Sequence, residues 1–207
     1  AGVSRGAMPI HRFGTEEQKA QYLPSLLAGE ALAGFGLTEP EAGSDAGATR
    51  TTARLDDGEW VIDGTKQFIT NSGTPITRFV TVTAVTGENA GRKEISTIIV
   101  PRGTAGFTVE PAYDKVGWNA SDTHPLTLQG VRVPEENLLG QRGHGFRNFL
   151  SILDEGRIAI AALATGAAEG CLEAAVDYAK QRTVFGATQR TRQNAQFTLA
   201  RMRARVH

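Results

Sequence analysis

From Gly145 to about residue 182 the chain keeps helical spacing without an interruption. Phe146, Phe149, Leu150 and Leu153 lead the pattern. Small residues then take over on nearly every side, among them Ala159, Ala161, Ala162, Ala164, Gly166, Ala167, Ala168 and Gly170. A helix of about ten turns with so little side-chain bulk has to be packed closely by neighbouring helices. Such a helix belongs to a bundle, yet one further helix, about 192–206, follows it. Two helices do not make a bundle. The missing packing is expected from partner subunits, or from a longer protein of which this chain is a part.

Upstream the periodicity is different. Trp60-Val61-Ile62, Gln67-Phe68-Ile69-Thr70, Phe79-Val80-Thr81-Val82 and Ile95 to Val100 are short β-branched and aromatic runs. The turn formers Asp57-Gly58, Asp63-Gly64, Asn71-Ser72-Gly73 and Arg102-Gly103 separate them. Several short strands at regular spacing predict an antiparallel barrel or sandwich. Residues 1–30 are helical in pattern: Thr15 and Gln18 stand at capping-box spacing. Leu23, Leu26 and Leu27 form an apolar stripe that Pro24 kinks, and Gly29 is expected to stop it. The fold class is therefore α+β with three parts. These are a remnant of an N-terminal helical domain at 1–30, a middle β-domain at 31–138, and the start of a C-terminal helical domain at 139–207.

Composition removes several classes of function. The 207 residues carry 22 basic and 22 acidic side chains, a formal net charge of zero, so the basic stripe of a nucleic-acid binder is missing. No stretch offers the roughly 18 uninterrupted apolar residues of a membrane span, and no signal peptide opens the chain. Cys171, the single cysteine, suits a reducing compartment and reads as a small core residue. The four histidines lack ligand-like spacing, so no metal is expected. Together these features point to a soluble protein of the cytoplasm, or of the mitochondrial matrix where a transit peptide precedes Ala1.

The sharpest local signal is Gly34-Phe35-Gly36-Leu37-Thr38-Glu39-Pro40, followed by Ala42-Gly43-Ser44-Asp45. Glycines let the backbone approach a flat or phosphorylated ligand, and Thr38 and Ser44 place hydroxyls beside it. The run is not the dinucleotide G-x-G-x-x-G, because Glu39 holds its sixth position and no βαβ unit surrounds it. Taken with Asp63-Gly64-Thr65-Lys66-x-Phe68-Ile69-Thr70-Asn71, it resembles the middle domain of the acyl-CoA dehydrogenases. The resemblance continues through Val131-Arg132-Val133-Pro134-Glu135-Glu136-Asn137-Leu138-Leu139-Gly140 and Gly143-x-Gly145-Phe146. It ends with Leu153-Asp154-x-Gly156-Arg157, Arg182-x-x-Phe185-Gly186 and Gln193.

The resemblance implies an FAD enzyme that oxidises an acyl-CoA thioester to the trans-2-enoyl-CoA, hands electrons to an electron-transferring flavoprotein, and assembles as a homotetramer. By position, Phe35, Leu37 and Thr38 would line the isoalloxazine ring, with Gly43 and Ser44 beside them. Ser44 would sit where flavin, substrate and CoA phosphate converge. Phe68, Ile69 and Thr70 would approach the ring from a second strand, Phe68 standing where many members carry Trp. Arg182, Phe185 and Gln193 match residues that hold the pyrophosphate and adenine half of FAD, typically in an adjacent subunit. An arginine fork suits pyrophosphate oxygens. Asp154 and Arg157 match positions lining the acyl-CoA site, although an i, i+3 ion pair would explain them as well.

Such chemistry needs a carboxylate base. In most of the family it is a glutamate beyond the last residue here; a minority place it at the position matching Gly156. Glu155 is adjacent, but one residue on a helix turns a side chain by about 100°, which makes it a weak candidate. No catalytic base is therefore expected within the chain. Two other readings stand beside the dehydrogenase: an acyl-CoA oxidase of the same fold, and a non-catalytic remnant that binds acyl-CoA or FAD.

Overall fold

The computed structural model of the chain describes residues 2–207, with side chains from residue 6 onward. The chain forms two compact units, residues 1–156 and 157–207.

In the first unit, helices α1 (Gly2–Phe13) and α2 (Glu16–Leu27) precede strand β1 (Leu32–Gly36). The predicted capping box is formed: the Gln18 N–H donates to Thr15 Oγ1 at 3.2 Å and the Thr15 N–H donates to Gln18 Oε1 at 3.1 Å. Gln18 also turns its amide outward to the carbonyls of Glu136 and Leu138, at 2.7 and 3.0 Å. One side chain thus starts a helix and pins a distant loop.

Six further strands follow: β2 (Thr52–Asp56), β3 (Glu59–Thr70), β4 (Thr77–Asn89), β5 (Arg92–Pro101), β6 (Phe107–Val109) and β7 (Thr123–Pro134). The sheet runs β1-β4-β2-β3-β7-β6, with β5 also on β4. The predicted antiparallel pairing holds for β2–β3, β3–β7, β4–β5 and β6–β7. β1 and β2 instead run parallel to β4, so the sheet is mixed. Asp57-Gly58 makes the predicted hairpin turn, with φ of 52° and 77°.

Asp63-Gly64, by contrast, is no turn. β3 runs through it with a register shift, because Gly64 at φ 153° lets Thr51 approach to where a Cβ would lie 2.4 Å from its Oγ1.

β4 and β5 are buried on both faces, which explains their unbroken apolar and Thr-rich runs. Ile62, Val80, Val82, Ile98 and Leu126 pack on one side. Phe79 and Ile99 face the other, against Ile10, Tyr22 and Leu26 from α1 and α2.

Helix α3 spans Gly145–Gln181 as the spacing predicts, and its first turns belong to the first unit. The second unit holds the remainder of α3, the short hairpin β8 (Thr183–Val184) and β9 (Ala187–Thr188), and helix α4 (Gln193–Val206). Ile158, Ile160 and Leu163 are exposed within the chain. So is Cys171, which was expected in a core, because nothing among the residues of this unit covers that side of the helix. By length and composition α3 could also cross a membrane. Its few charges are scattered, so a stretch that is apolar on average persists where no uninterrupted apolar run does.

Candidate functional site

The loop from Leu37 to Thr51 is built around one buried ion pair. Lys66 of β3 is fully buried and Glu39 is 3% exposed. Lys66 Nζ donates to Glu39 Oε1 at 2.7 Å and to Thr83 Oγ1 at 3.1 Å, with the Leu37 carbonyl oxygen at 3.5 Å. The Glu39 carboxylate further accepts the Arg50 N–H at 2.7 Å and the Thr51 N–H at 3.2 Å. Burial pushes the Glu39 carboxyl up, but the Lys66 charge and these donors outweigh it and hold the group below its ordinary value. Burial dominates at Lys66, which is lowered to about 8 despite Glu39. Both groups are therefore ionised at neutral pH. Neither Glu39 nor Lys66 stands out in the sequence beyond the motifs that contain them. A lysine flanked by polar residues reads as a solvated strand position unless its partners are known.

Beyond Lys66 the strand alternation breaks. β3 shifts register against β7 between Lys66 and Ile69, and Phe68 sits at φ 59°. A bulky residue in the left-handed region is strained by about 1–3 kcal/mol. The bulge turns Phe68 outward, 60% exposed, and sends Ile69 into the core. The Phe68 ring leans on Tyr113, with centroids 4.9 Å apart. The Gln67 N–H donates to the Thr38 carbonyl at 2.8 Å, which brings the two predicted stretches side by side. Thr38 is half-buried, while Gly43, Ser44 and Thr70 are exposed and Gly43 faces open space. Leu37 and Ile69 bury their side chains, so only their backbone is available to a ligand. Phe35 is half-buried and stacks on Phe149 of α3 at 3.9 Å.

The remaining predicted residues lie elsewhere. In the second unit, Arg182 closes α3 and its carbonyl accepts the Gln189 N–H at 2.8 Å. Phe185, 95% exposed at φ 51°, forms the tip of the β8–β9 turn with Gly186. Gln193 is the first residue of α4 and is exposed. Arg192, absent from the sequence-based set, lays its guanidinium 5.7 Å from the centre of the Phe185 ring and donates to the Val184 carbonyl. Its Nε is buried without a hydrogen-bond partner among the described residues. Asp154 and Arg157 are exposed on α3, and Glu155 is ion-paired with Arg12 of α1. No group of three or more metal-ligating side chains is found among the described residues.

Each unit, taken by itself, presents groups that suit one part of a flavin dinucleotide. The exposed Phe68 ring, two residues from Thr70 and on the strand hydrogen-bonded to Thr38, suits a flat polar ring system, and Ser44 is exposed on the segment that follows Thr38. The arginine-rich hairpin with an exposed Phe suits a diphosphate and a second ring.

Three family models match consecutive stretches: the acyl-CoA dehydrogenase N-terminal domain at residues 1–30, the middle domain at 34–131 and the C-terminal domain at 143–207. A probable acyl-CoA dehydrogenase of Bacillus subtilis, YngJ, is 51% identical over 203 residues, covering 98% of this chain and 53% of that protein. The solved butyryl-CoA dehydrogenase of Megasphaera elsdenii superposes with a TM-score of 0.91 at 42% identity, over 100% of this chain and 54% of its own. An acyl-CoA dehydrogenase of Bacillus anthracis, solved in complex with FAD, gives a TM-score of 0.91 at 38% identity, over 100% of this chain and 35% of that one. The chain spans about half the length of the curated relatives it matches. Motif order, fold and the three consecutive domain matches together establish that the chain belongs to the acyl-CoA dehydrogenase family.

Proposed function

We propose that the protein to which this chain belongs dehydrogenates an acyl-CoA thioester to the trans-2-enoyl-CoA, with FAD as its cofactor. The observation that supports this most is Phe68: a bulky side chain held outward at φ 59°, beside Thr38 and Thr70. Such strain at an exposed aromatic is retained where a ligand uses it. Bound FAD supplies a hydride acceptor for the β-carbon.

The chain's own residues hold and orient. Phe68 offers a flat apolar face, Thr38 and Thr70 offer hydroxyls at its edge, and Ser44 on the exposed Gly43–Ser44 segment reaches toward cofactor and thioester. Phe35, Leu37 and Ile69 support that surface from behind or through their backbone. Arg182, Phe185 and Gln193 take the diphosphate and adenine end in a neighbouring copy of a homotetramer, and Asp154 and Arg157 contact the acyl-CoA. The three-part division at 1–30, 31–138 and 139–207 accompanies this reading.

The α-proton must go to a carboxylate. Glu155 is ion-paired with Arg12 and stands one residue away from the position a minority of the family uses, and we assign the base to a part of the full-length protein outside this chain. Electrons then pass to an electron-transferring flavoprotein, and the protein is soluble, with the exposed face of α3 covered in the assembly.

Anaerobic titration of the full-length protein with butyryl-CoA tests the proposal. The flavin absorbance should bleach and enoyl-CoA should form in equal amount. A colourless protein, or a yellow one unmoved by acyl-CoA of any length, would refute it. Reoxidation by an electron-transferring flavoprotein but not by oxygen separates the dehydrogenase from an oxidase.

A further inference from the structure

The Glu39–Lys66 pair has no part in the chemistry above, and its placement asks for a role. A buried ion pair is a poor source of stability, since desolvation offsets the attraction and apolar replacements of similar volume often do as well. What this pair does have is reach. The one carboxylate gathers both ends of the loop carrying Gly43 and Ser44: its own residue at the start, and the Arg50 and Thr51 N–H groups at the end. A tight turn, with Glu39 and Ala42 exchanging backbone hydrogen bonds at 3.1 and 3.2 Å, forms the loop's entry. Lys66 in turn anchors the carboxylate to β3, two residues before Phe68, and to Thr83 of β4. Its ammonium also stands 3.5 Å from the Leu37 oxygen. A charge there polarises the Leu37–Thr38 peptide and strengthens any hydrogen bond that the Thr38 N–H makes.

We propose that Glu39 and Lys66 are positioning residues for the flavin, setting the Thr38–Ser44 loop against the Phe68 bulge and biasing the Thr38 peptide toward the ring. This deepens the FAD reading and rests on it. The ion pair touches no substrate and moves no proton in the reaction. It holds three elements at one spacing, which a hydrophobic pair of equal volume would not do for the two loop N–H groups.

The test uses the full-length flavoprotein, its E39Q/K66M double variant and the two single variants. K66M alone strands a buried carboxylate and is expected to unfold at lower temperature. The double variant removes both charges and should recover most of the melting temperature of the apoprotein. Its FAD dissociation constant should still rise at least tenfold, with a shifted flavin visible band. A merely structural pair predicts the reverse: affinity and spectrum restored whenever the fold is restored.

Hydrogen exchange on the wild type needs no variant. Protection of the Arg50 and Thr51 amides should rise at least tenfold when FAD is added to the apoprotein. Unchanged protection, or wild-type affinity in a folded double variant, would overturn the inference. A wild type that binds no FAD would sink the cofactor reading first and this proposal with it, whereas normal binding by all variants sinks this proposal alone.

Discussion

Phe35 of β1 and Phe149 of α3 stack with ring centroids 3.9 Å apart and planes 24° from parallel. Phe149 is 1% exposed and Phe35 is half-buried, so the pair fastens the first turns of the long helix to the strand that leads into the Thr38 loop. Replacing Phe149 by alanine removes a buried ring and leaves a cavity. We expect a loss of about 3–5 kcal/mol in the unfolding free energy, with Phe149→Leu losing less than half of that. Chemical denaturation of the two variants checks the order.

Gly64 and Gly43 should separate structure from ligand. At Gly64 a methyl group would meet Thr51 Oγ1 at 2.4 Å, at a φ of 153°. Gly64→Ala should therefore destabilise by about 2–4 kcal/mol, strain and overpacking together. Gly43 has open space and an ordinary φ, so Gly43→Ala should change stability by less than about 0.5 kcal/mol. A fall in FAD affinity for Gly43→Ala at unchanged melting temperature would place that loop against the cofactor.

Phe68→Gly sets strain against function. Glycine relieves the left-handed backbone at φ 59°, while the contact with Tyr113 at 4.9 Å is lost, worth about 0.5–1.5 kcal/mol. The two nearly cancel, so stability should move by less than about 1 kcal/mol. FAD affinity should drop at least tenfold. Equal affinity in the variant would remove Phe68 from the site.

The buried pair predicts a pH response with two limbs. The Glu39 carboxyl lies below its ordinary 4.5, so it contributes stability above that value and loses it as pH falls through the folded-state value. Lys66 is lowered from 10.5 to about 8, so between those values the unfolded chain binds more protons than the folded one. Its contribution therefore rises as pH climbs from about 8 to 10.5. Urea unfolding of wild type and E39Q/K66M across pH should give a difference curve that slopes in both windows. A flat curve would contradict the assignment.

Arg182 is exposed in the second unit, so Arg182→Ala should leave the melting temperature of the apoprotein unchanged. If the guanidinium holds a diphosphate, losing its charge-assisted hydrogen bonds costs about 1.5–3 kcal/mol, and FAD should bind roughly ten- to a hundredfold more weakly. Calorimetric titration of apoprotein with FAD measures it.

Signals spaced three or four residues apart were readable directly. The Thr15–Gln18 box, the stop at Gly29, the unbroken helix from Gly145 and the Asp57-Gly58 turn each depend on neighbours along the chain. The motifs that carry the family resemblance were equally visible, because they are runs of adjacent residues. The tertiary structure alone decided the rest. The role of Lys66 depends on β3 bringing it to Glu39, 27 residues away, and to Thr83, 17 residues away. Asp63-Gly64 looked like a turn until Thr51 packed against it and made it a bulge. The parallel pairing of β1 with β4 leaves no mark in either strand, since both are buried on two faces and alternation is lost. Arg192 became a candidate once the hairpin placed it over Phe185 and buried its Nε. Local hydrogen bonding and periodicity are properties of a segment, whereas burial of a charge and the direction of a bulged side chain are set by whatever the rest of the fold puts opposite it.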